Sequence, residues 1–393
     1  MESYSDKGIP APEEWFTGRV WINMTVKPED GYNVNIAIVT FDPTARTKWH
    51  THTSGQILFV TEGHGYYQER GKPIRLIMQG EVVKIPKNVE HWHGATHHHP
   101  MRHIAIISDY SNDTTTWLQA VTEEEYNAFV HPAYPVLQHL SAAAKENHDQ
   151  LWAGYRSQTA ITDPELKELF GNFAFDEVLQ HDSMDLKTRL LAIMAATIGC
   201  LAVSEFRMFV HAALNNDITP VEIREVVYQA VPYVGLARAI DFLHAINDIF
   251  QQKKISLPLE NRGVTTPETR FEKGLALQKA IFGTNIENMY KNSPKDLLHI
   301  QQFLSANCFG DYVTRKGLDI KTRELLTLSF LVGMGGTEAQ IKGHIQGNAN
   351  VGNDRKTLIS LLTQLLPYVG YPRTLNAIAC LNEVLPPAAK AAQ

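Results

Sequence analysis

Two short histidine-bearing runs hold the densest chemistry in this chain. Trp49-His50-Thr51-His52 is followed by Gln56, and His91-Trp92-His93 follows Gly80 and Pro86. Side chains alternate along a strand, so His50 and His52 share a face, and Gln56 rejoins it if a local turn returns the chain to strand. Three imidazoles and a side-chain oxygen converging in a β-rich pocket make a divalent-metal site with positions open to substrate. With a neutral amide in place of a carboxylate, the ion keeps nearly its full charge. Such a site holds its metal less tightly, is a stronger Lewis acid, and favours cyanide, alkoxide, enolate or carboxylate in the open position. His93 and His103 are candidate bases beside the metal, because imidazole titrates near neutral pH. The alternatives are a rim or supporting role for His93 and a satisfied core position for His103. His97-His98-His99 reads as a solvated loop ending at Pro100.

Short elements must position these groups. Strands are expected at 33–41, 56–60, 66–68, 81–86 and 103–108, with turns at Gly63-His64-Gly65, Arg70-Gly71-Lys72-Pro73 and Gln79-Gly80. That spacing suggests a barrel or jelly roll. Residues 113–117 and 122–129 begin polar, helical connecting material. From about Thr162 the apolar spacing of three and four is helical. Thr162-Asp163-Pro164-Glu165 and Thr219-Pro220-Val221-Glu222 read as capped helix starts.

The helical part repeats itself. Met184-Asp185-Leu186-Lys187-Thr188-Arg189 recurs as Leu318-Asp319-Ile320-Lys321-Thr322-Arg323, and Pro232-Tyr233-Val234-Gly235 recurs as Pro367-Tyr368-Val369-Gly370. Two matches in the same order imply a duplicated domain whose halves pair pseudo-symmetrically. The expected organisation is a β-barrel over 1–110, a partly helical connector over 111–160, helical repeats over 161–252 and 268–388, and a linker over 253–267. A length of 393 residues suits that count.

Bulk properties exclude several classes. A formal net charge of −6 provides no basic stripe for nucleic acid or anionic membranes. Three scattered cysteines make no disulfide framework, which suits a reducing compartment. The first residues lack a basic and apolar signal pattern, and no run approaches the ~20 apolar residues of a membrane helix. A cytoplasmic protein is expected.

The motifs resemble known families. His50-x-His52-x3-Gln56-x6-Gly63 and Gly80-x5-Pro86-x4-His91 are similar to the two cupin motifs, with Gln56 at the usual glutamate and Asn88 at a usual glycine. The resemblance extends to small bacterial cupins that include manganese-dependent hydroxynitrile lyases. It implies His50, His52, Gln56 and His91 as metal ligands, His93 and His103 as pocket histidines, and Ala37, Val39 and Ile107 as lining. The implied cofactor is a divalent metal, manganese first, although iron, nickel, cobalt or zinc also suit the donors. Both helical blocks resemble the carboxymuconolactone decarboxylase family, which shares its all-α fold with alkylhydroperoxidase-D-type enzymes. Thiol peroxidase chemistry needs a Cys-x-x-Cys pair before a histidine. Here Ser204 and Arg207 precede His211, and Thr337 and Gln340 precede His344, so that activity is unexpected. Cys200 reads as buried and inert. Glu324 and His344 match the family's acid–base positions, whereas Leu190 replaces the glutamate in the first repeat. The competing reading pairs Glu324 with a nearby arginine and leaves His344 facing solvent. Gly347 to Asn353 reads as a helix-terminating turn.

Three functions follow. One is a metal-dependent cupin lyase acting on a small hydroxy or oxo compound, its pocket aromatic through Trp49, Tyr66 and Trp92, with the repeats as scaffold or second site. Another is a decarboxylase or isomerase in the helical repeats with an accessory cupin. The third is a non-enzymatic ligand-binding oligomer. A small-molecule substrate and homo-oligomerisation are the expected partnerships.

Overall fold

The computed structural model describes residues 7–97, 99–128, 137, 139–152, 159–181 and 184–387. Outside them lie residues 1–6, read above for a targeting signal, together with His98, Phe129 and position 388. The chain divides into two compact units, 1–134 and 135–393.

In the first unit, two antiparallel sheets share the strand Gln56–Glu69. Its first half pairs with Val82–Ile85, and its second half with Arg75–Met78 and His91–Ala95. The turn expected at Gly63-His64-Gly65 is therefore a passage from one sheet to the other. His64 and Gly65 stay laddered to Met78 and Ile77, which leaves no room for a reversal. Inward-facing Phe41, Leu58, Ile77, Val83, Ile85 and Met101 fill the space between the sheets, as in a jelly roll. The β-branched pair before Trp117 decides a second difference. Thr115–Trp117, in the residues expected to begin helical connecting material, is a strand lying on His50–His52, with Thr115 opposite His52 and Trp117 opposite His50. A helix, Glu123–Asn127, follows with a complete capping box of Thr122 and Glu125.

The second unit is helical, and its repeated motif is a cap. Asp185 starts Leu186–Gly199 and Asp319 starts Ile320–Met334, each accepting the backbone N–H three residues on, at 3.0 and 3.1 Å. Such a cap contributes about 1 kcal/mol. These two buried helices pack against each other at matching glycines. A Cβ on Gly199 would lie 2.5 Å from Phe330 O, and one on Gly333 would lie 2.5 Å from Ala196 O. Equivalent positions touching each other mark an isologous, pseudo-twofold contact. One hydrophobic core accordingly runs through both repeats. Thr219 and Glu222 form the expected capping box, but at the earlier start Asp163, not Thr162, is the N-cap residue before Pro164. Among the described residues no helix is long and apolar enough to cross a membrane.

Candidate functional site

Three strands bring the imidazoles together. His91 sits directly opposite His50 on one side and Glu69 on the other, while His93 faces Tyr67. All of His50, His52, Gln56, His91, His93 and His103 are buried. One nitrogen from each of His50, His91 and His93 lies within 4.8 Å of the other two. The ring of His52 is 5.3 Å from that of His50 and 5.9 Å from that of His91, and the His103 ring is 4.8 Å from that of His93. Every histidine singled out in the two runs, with His103, therefore joins one cluster.

Hydrogen bonds on the far side orient the rings. His50 Nδ1 is 2.9 Å from Lys48 O, and His91 Nδ1 is 2.9 Å from Val89 O. A carbonyl only accepts, so both Nδ1 atoms carry the proton and both Nε2 atoms keep a lone pair. His91 Nε2 then faces Gln56 Oε1 at 3.2 Å, two electron-pair donors turned on each other, which a cation between them stabilises. His52 Nε2 and both nitrogens of His93 are buried without a hydrogen-bond partner among the described residues. The unpartnered His52 Nε2, with the facing His91 Nε2 and Gln56 Oε1, fits a divalent ion. Burial holds the imidazoles in the neutral, metal-binding form. Desolvation lowers His50, His52 and His93 and brings His91 to about 4 and His103 to about 3.

That depression has a sign in stability. Above the unfolded value of 6.5 both states are neutral. Below it the unfolded chain takes up protons, while the folded one refuses until pH falls to about 4 at His91 and about 3 at His103. The barrel thus loses stability as pH drops through that window. At pH 5, His103 alone costs about 2 kcal/mol. Urea unfolding of the β unit should give a clearly lower midpoint at pH 5 than at pH 7.5; equal midpoints would contradict this.

Asp113 was missed in the sequence. Its buried carboxylate lies 3.3 Å from His52 Nδ1 and accepts from Ser54 N at 2.8 Å and Ser54 Oγ at 2.6 Å. Thr115 Oγ1 is 3.0 Å from the same ring nitrogen. A carboxylate behind a ligating histidine fixes its tautomer and raises its basicity. Asp113→Asn should weaken metal affinity by about 10–100-fold, measured by competition with a chelator. The strand Thr115–Trp117 that delivers Asp113 gave the only advance signal, through its threonines.

The aromatic lining differs from expectation. Trp49, Tyr66 and Trp92 pack together with Tyr126 in a separate cluster. Trp49 adjoins His50, and Trp92 separates His91 from His93, so period-2 alternation sends them to the opposite face. The rings beside the histidines are Trp117, 4.6 Å from His50; Phe41, 5.8 Å from His93; and Tyr67, 6.1 Å from His91. Val39 stands opposite His103, and Ala37 opposite Ala105 two positions along, so both share the inner face. His97, in the loop read as solvated, is held by Tyr66 and Asn127.

The helical unit pairs Glu324 and His344. His344 Nδ1 lies 2.9 Å from Glu324 Oε2, and both side chains are largely buried. The reading with a solvent-facing His344 fails, because Phe282 and Tyr233 enclose the imidazole. The neighbouring arginine, Arg323, goes to Glu225 instead. Gly347 is needed here: a Cβ would lie 2.7 Å from Glu324 Oε2. Asn348, on the same helix, donates to Glu324 O and His344 O. The segment read as a turn is thus helical to Asn350 and positions the pair. Burial raises Tyr233 and pushes Cys308 up to about 12. In the first repeat, His211 and the fully buried Leu190 make no such pair. Cys200 is half-buried, not buried; its thiol donates to Gly333 O at 3.4 Å.

Comparison with known proteins agrees with this division. The cupin domain model matches residues 37–107, and the carboxymuconolactone decarboxylase family model matches 164–248 and 299–383. The (R)-mandelonitrile lyase of Granulicella tundricola is 42% identical over 115 residues, 29% of this chain and 88% of that protein. The 4-carboxymuconolactone decarboxylase of Acinetobacter baylyi is 27% identical over 118 residues, 30% and 87% of the respective chains. A solved cupin-like protein from Thermotoga maritima is 45% identical, covers 33% of this chain and 99% of its own, and has a TM-score of 0.32. Relatives named as lyases and decarboxylases support an enzyme. The chain belongs to the cupins through its N-terminal domain and, through two tandem copies, to the carboxymuconolactone decarboxylase family.

Proposed function

We propose that this chain is a metal-dependent lyase whose reaction takes place in the cupin, on a small hydroxy or oxo compound of the hydroxynitrile type. The buried histidine cluster, in which His50, His52 and His91 are each held from outside through Nδ1, carries the reading. His50, His52, Gln56 and His91 would hold a divalent ion, manganese first. When bound, the ion supplies Lewis-acid stabilisation of a developing anion. His93 is kept neutral by burial and has both nitrogens unpartnered, so it accepts the substrate hydroxyl proton at a ring nitrogen. His103 packs edge-on beside it, ring centres 4.8 Å apart. Phe41 and Trp117 exclude water and hold an apolar substituent. The named relative, a mandelonitrile lyase, supports the same chemistry.

The test joins metal content by elemental mass spectrometry to cleavage of (R)-mandelonitrile. About one metal per chain, with turnover abolished in His93→Ala, supports the reading. Turnover that persists in His93→Ala removes that residue as the base, and a metal-free, inactive protein after reconstitution removes the lyase. The 2.9 Å pair Glu324–His344 supports a second reading, proton transfer on a lactone in the helical repeats. There Glu324→Gln or His344→Ala abolishes turnover and His91→Ala spares it. Homo-oligomerisation is proposed as well, with light scattering as its check.

A further inference from the structure

The cupin carries a charged port that the lyase reading leaves unused. The strand Gln56–Glu69 is flanked by Arg75–Met78 along one half and Val82–Ile85 along the other. A cleft of about 410 Å³ lies beside them, lined by Tyr67, Glu69, Lys72, Arg75, Val83 and Lys84.

Register connects this cleft to the histidines. Arg75 stands directly opposite Tyr67, and Tyr67 directly opposite His93, forming one row across three strands. The next row is Glu69, His91 and His50. Directly opposed residues point to the same face of a sheet. Arg75 therefore starts two strand spacings, about 10 Å, from His93 and on its side. Tyr67 stands between them, its ring 6.1 Å from that of His91 and 5.8 Å from the Arg75 guanidinium.

The port's charge is positive. Glu69, its carboxylate, is taken by Lys72 at 2.6 Å and by the Tyr67 hydroxyl at 3.1 Å. Among the described residues, neither Arg75 nor Lys84 has an ion-pair partner. Arg75 and Lys84 line the same cleft, and a planar guanidinium matches a carboxylate, which it can hold with two parallel N–H bonds.

Resting on the lyase reading above, we infer that Arg75 and Lys84 select a substrate bearing a carboxylate, admitted past Tyr67 to the histidine cluster. The natural substrate is then a hydroxy or oxo compound of the proposed type that also bears a carboxylate.

Calorimetric titration of the metal-loaded protein with mandelate and with its neutral amide, mandelamide, tests this. Mandelate should bind at least tenfold more tightly, and its affinity should fall as salt rises. The double variant Arg75→Gln/Lys84→Gln should lose at least tenfold for mandelate and less than twofold for mandelamide. Arg75→Lys/Lys84→Arg should restore most of it, which separates lost charge from lost fold. Equal affinities in the wild type overturn the inference. So does mandelate binding that survives the double glutamine variant, since the ion alone would then explain it. The two readings fail separately. Metal content and mandelonitrile cleavage report on the lyase, and the mandelate-to-mandelamide ratio reports on the port.

Discussion

Replacing His91 with alanine should strip the cupin of its metal. His91 lies between His50 and Gln56, its ring 4.2 Å from that of His50 and its Nε2 3.2 Å from Gln56 Oε1. Its Nδ1 bond to Val89 O aims that lone pair inward. Losing a group behind a ligand costs about 10–100-fold in affinity, and losing the ligand itself costs more than about 100-fold. Elemental analysis of the variant should find less than a tenth of the wild-type metal, with cyanohydrin cleavage lost in parallel. Circular dichroism guards against the trivial outcome of an unfolded barrel. A folded His91→Ala protein that still carries one metal per chain would sink the assigned centre.

Glu225→Gln should be the most damaging single change in the helical unit. Glu225 is fully buried and receives Arg315 through two nitrogens, at 2.9 to 3.2 Å, and Arg323 at 3.1 Å. Arg323 is itself buried and donates further to Gln229 Oε1 and Arg315 O. The network ties the helix Pro220–Val234 of the first repeat to Ile320–Met334 of the second. Removing this carboxylate takes the ion-pair partner from three largely buried guanidinium groups, those of Arg224, Arg315 and Arg323, at a cost of about 3–5 kcal/mol. In a unit of this size that lowers Tm by about 10 °C, read by calorimetry as a shift of one transition with the β unit's unchanged. The counterpart in the second repeat is Ser360, which carries no charge. Ser360→Ala is the control, with a cost of about 1 kcal/mol. A Glu225→Gln protein that melts within 2 °C of the wild type, a margin smaller than about 1 kcal/mol, would show that the network is not what joins the repeats.

The duplication has therefore diverged in its chemistry. The second repeat keeps Glu324 against His344. The first has Leu190 and His211, and the charged tie runs through Glu225 without a twin. Matching glycines at the helix crossing survive on both sides because any Cβ there would strike backbone, whatever chemistry the flanking positions carry.

Much of the architecture was legible along the chain. Period-2 alternation put His50 with His52, and the donor types in the two runs implied a metal before any contact was known. The repeated Asp-x-Lys-Thr-Arg run marked two helices because a cap is a local device, satisfied within four residues. The pairing of Glu324 with His344 could be expected from the family resemblance, but its enclosure by Phe282 and Tyr233 could not.

What escaped the sequence was long-range. Asp113 reaches His52 only because Thr115–Trp117 lays itself beside His50–His52 across sixty residues, and nothing local specifies that pairing. The continuous strand through Gly63-His64-Gly65 has the composition of a turn; its ladder partners on both sides override that preference. The tryptophans beside the histidines in sequence lie behind them in space, since neighbours on a strand face opposite ways. Residue types and spacing by themselves determined which chemistry the barrel could hold. Tertiary structure alone decided which groups support that chemistry and where the cleft lies, because those contacts join strands whose register is set by burial of a shared core, not by their own sequences.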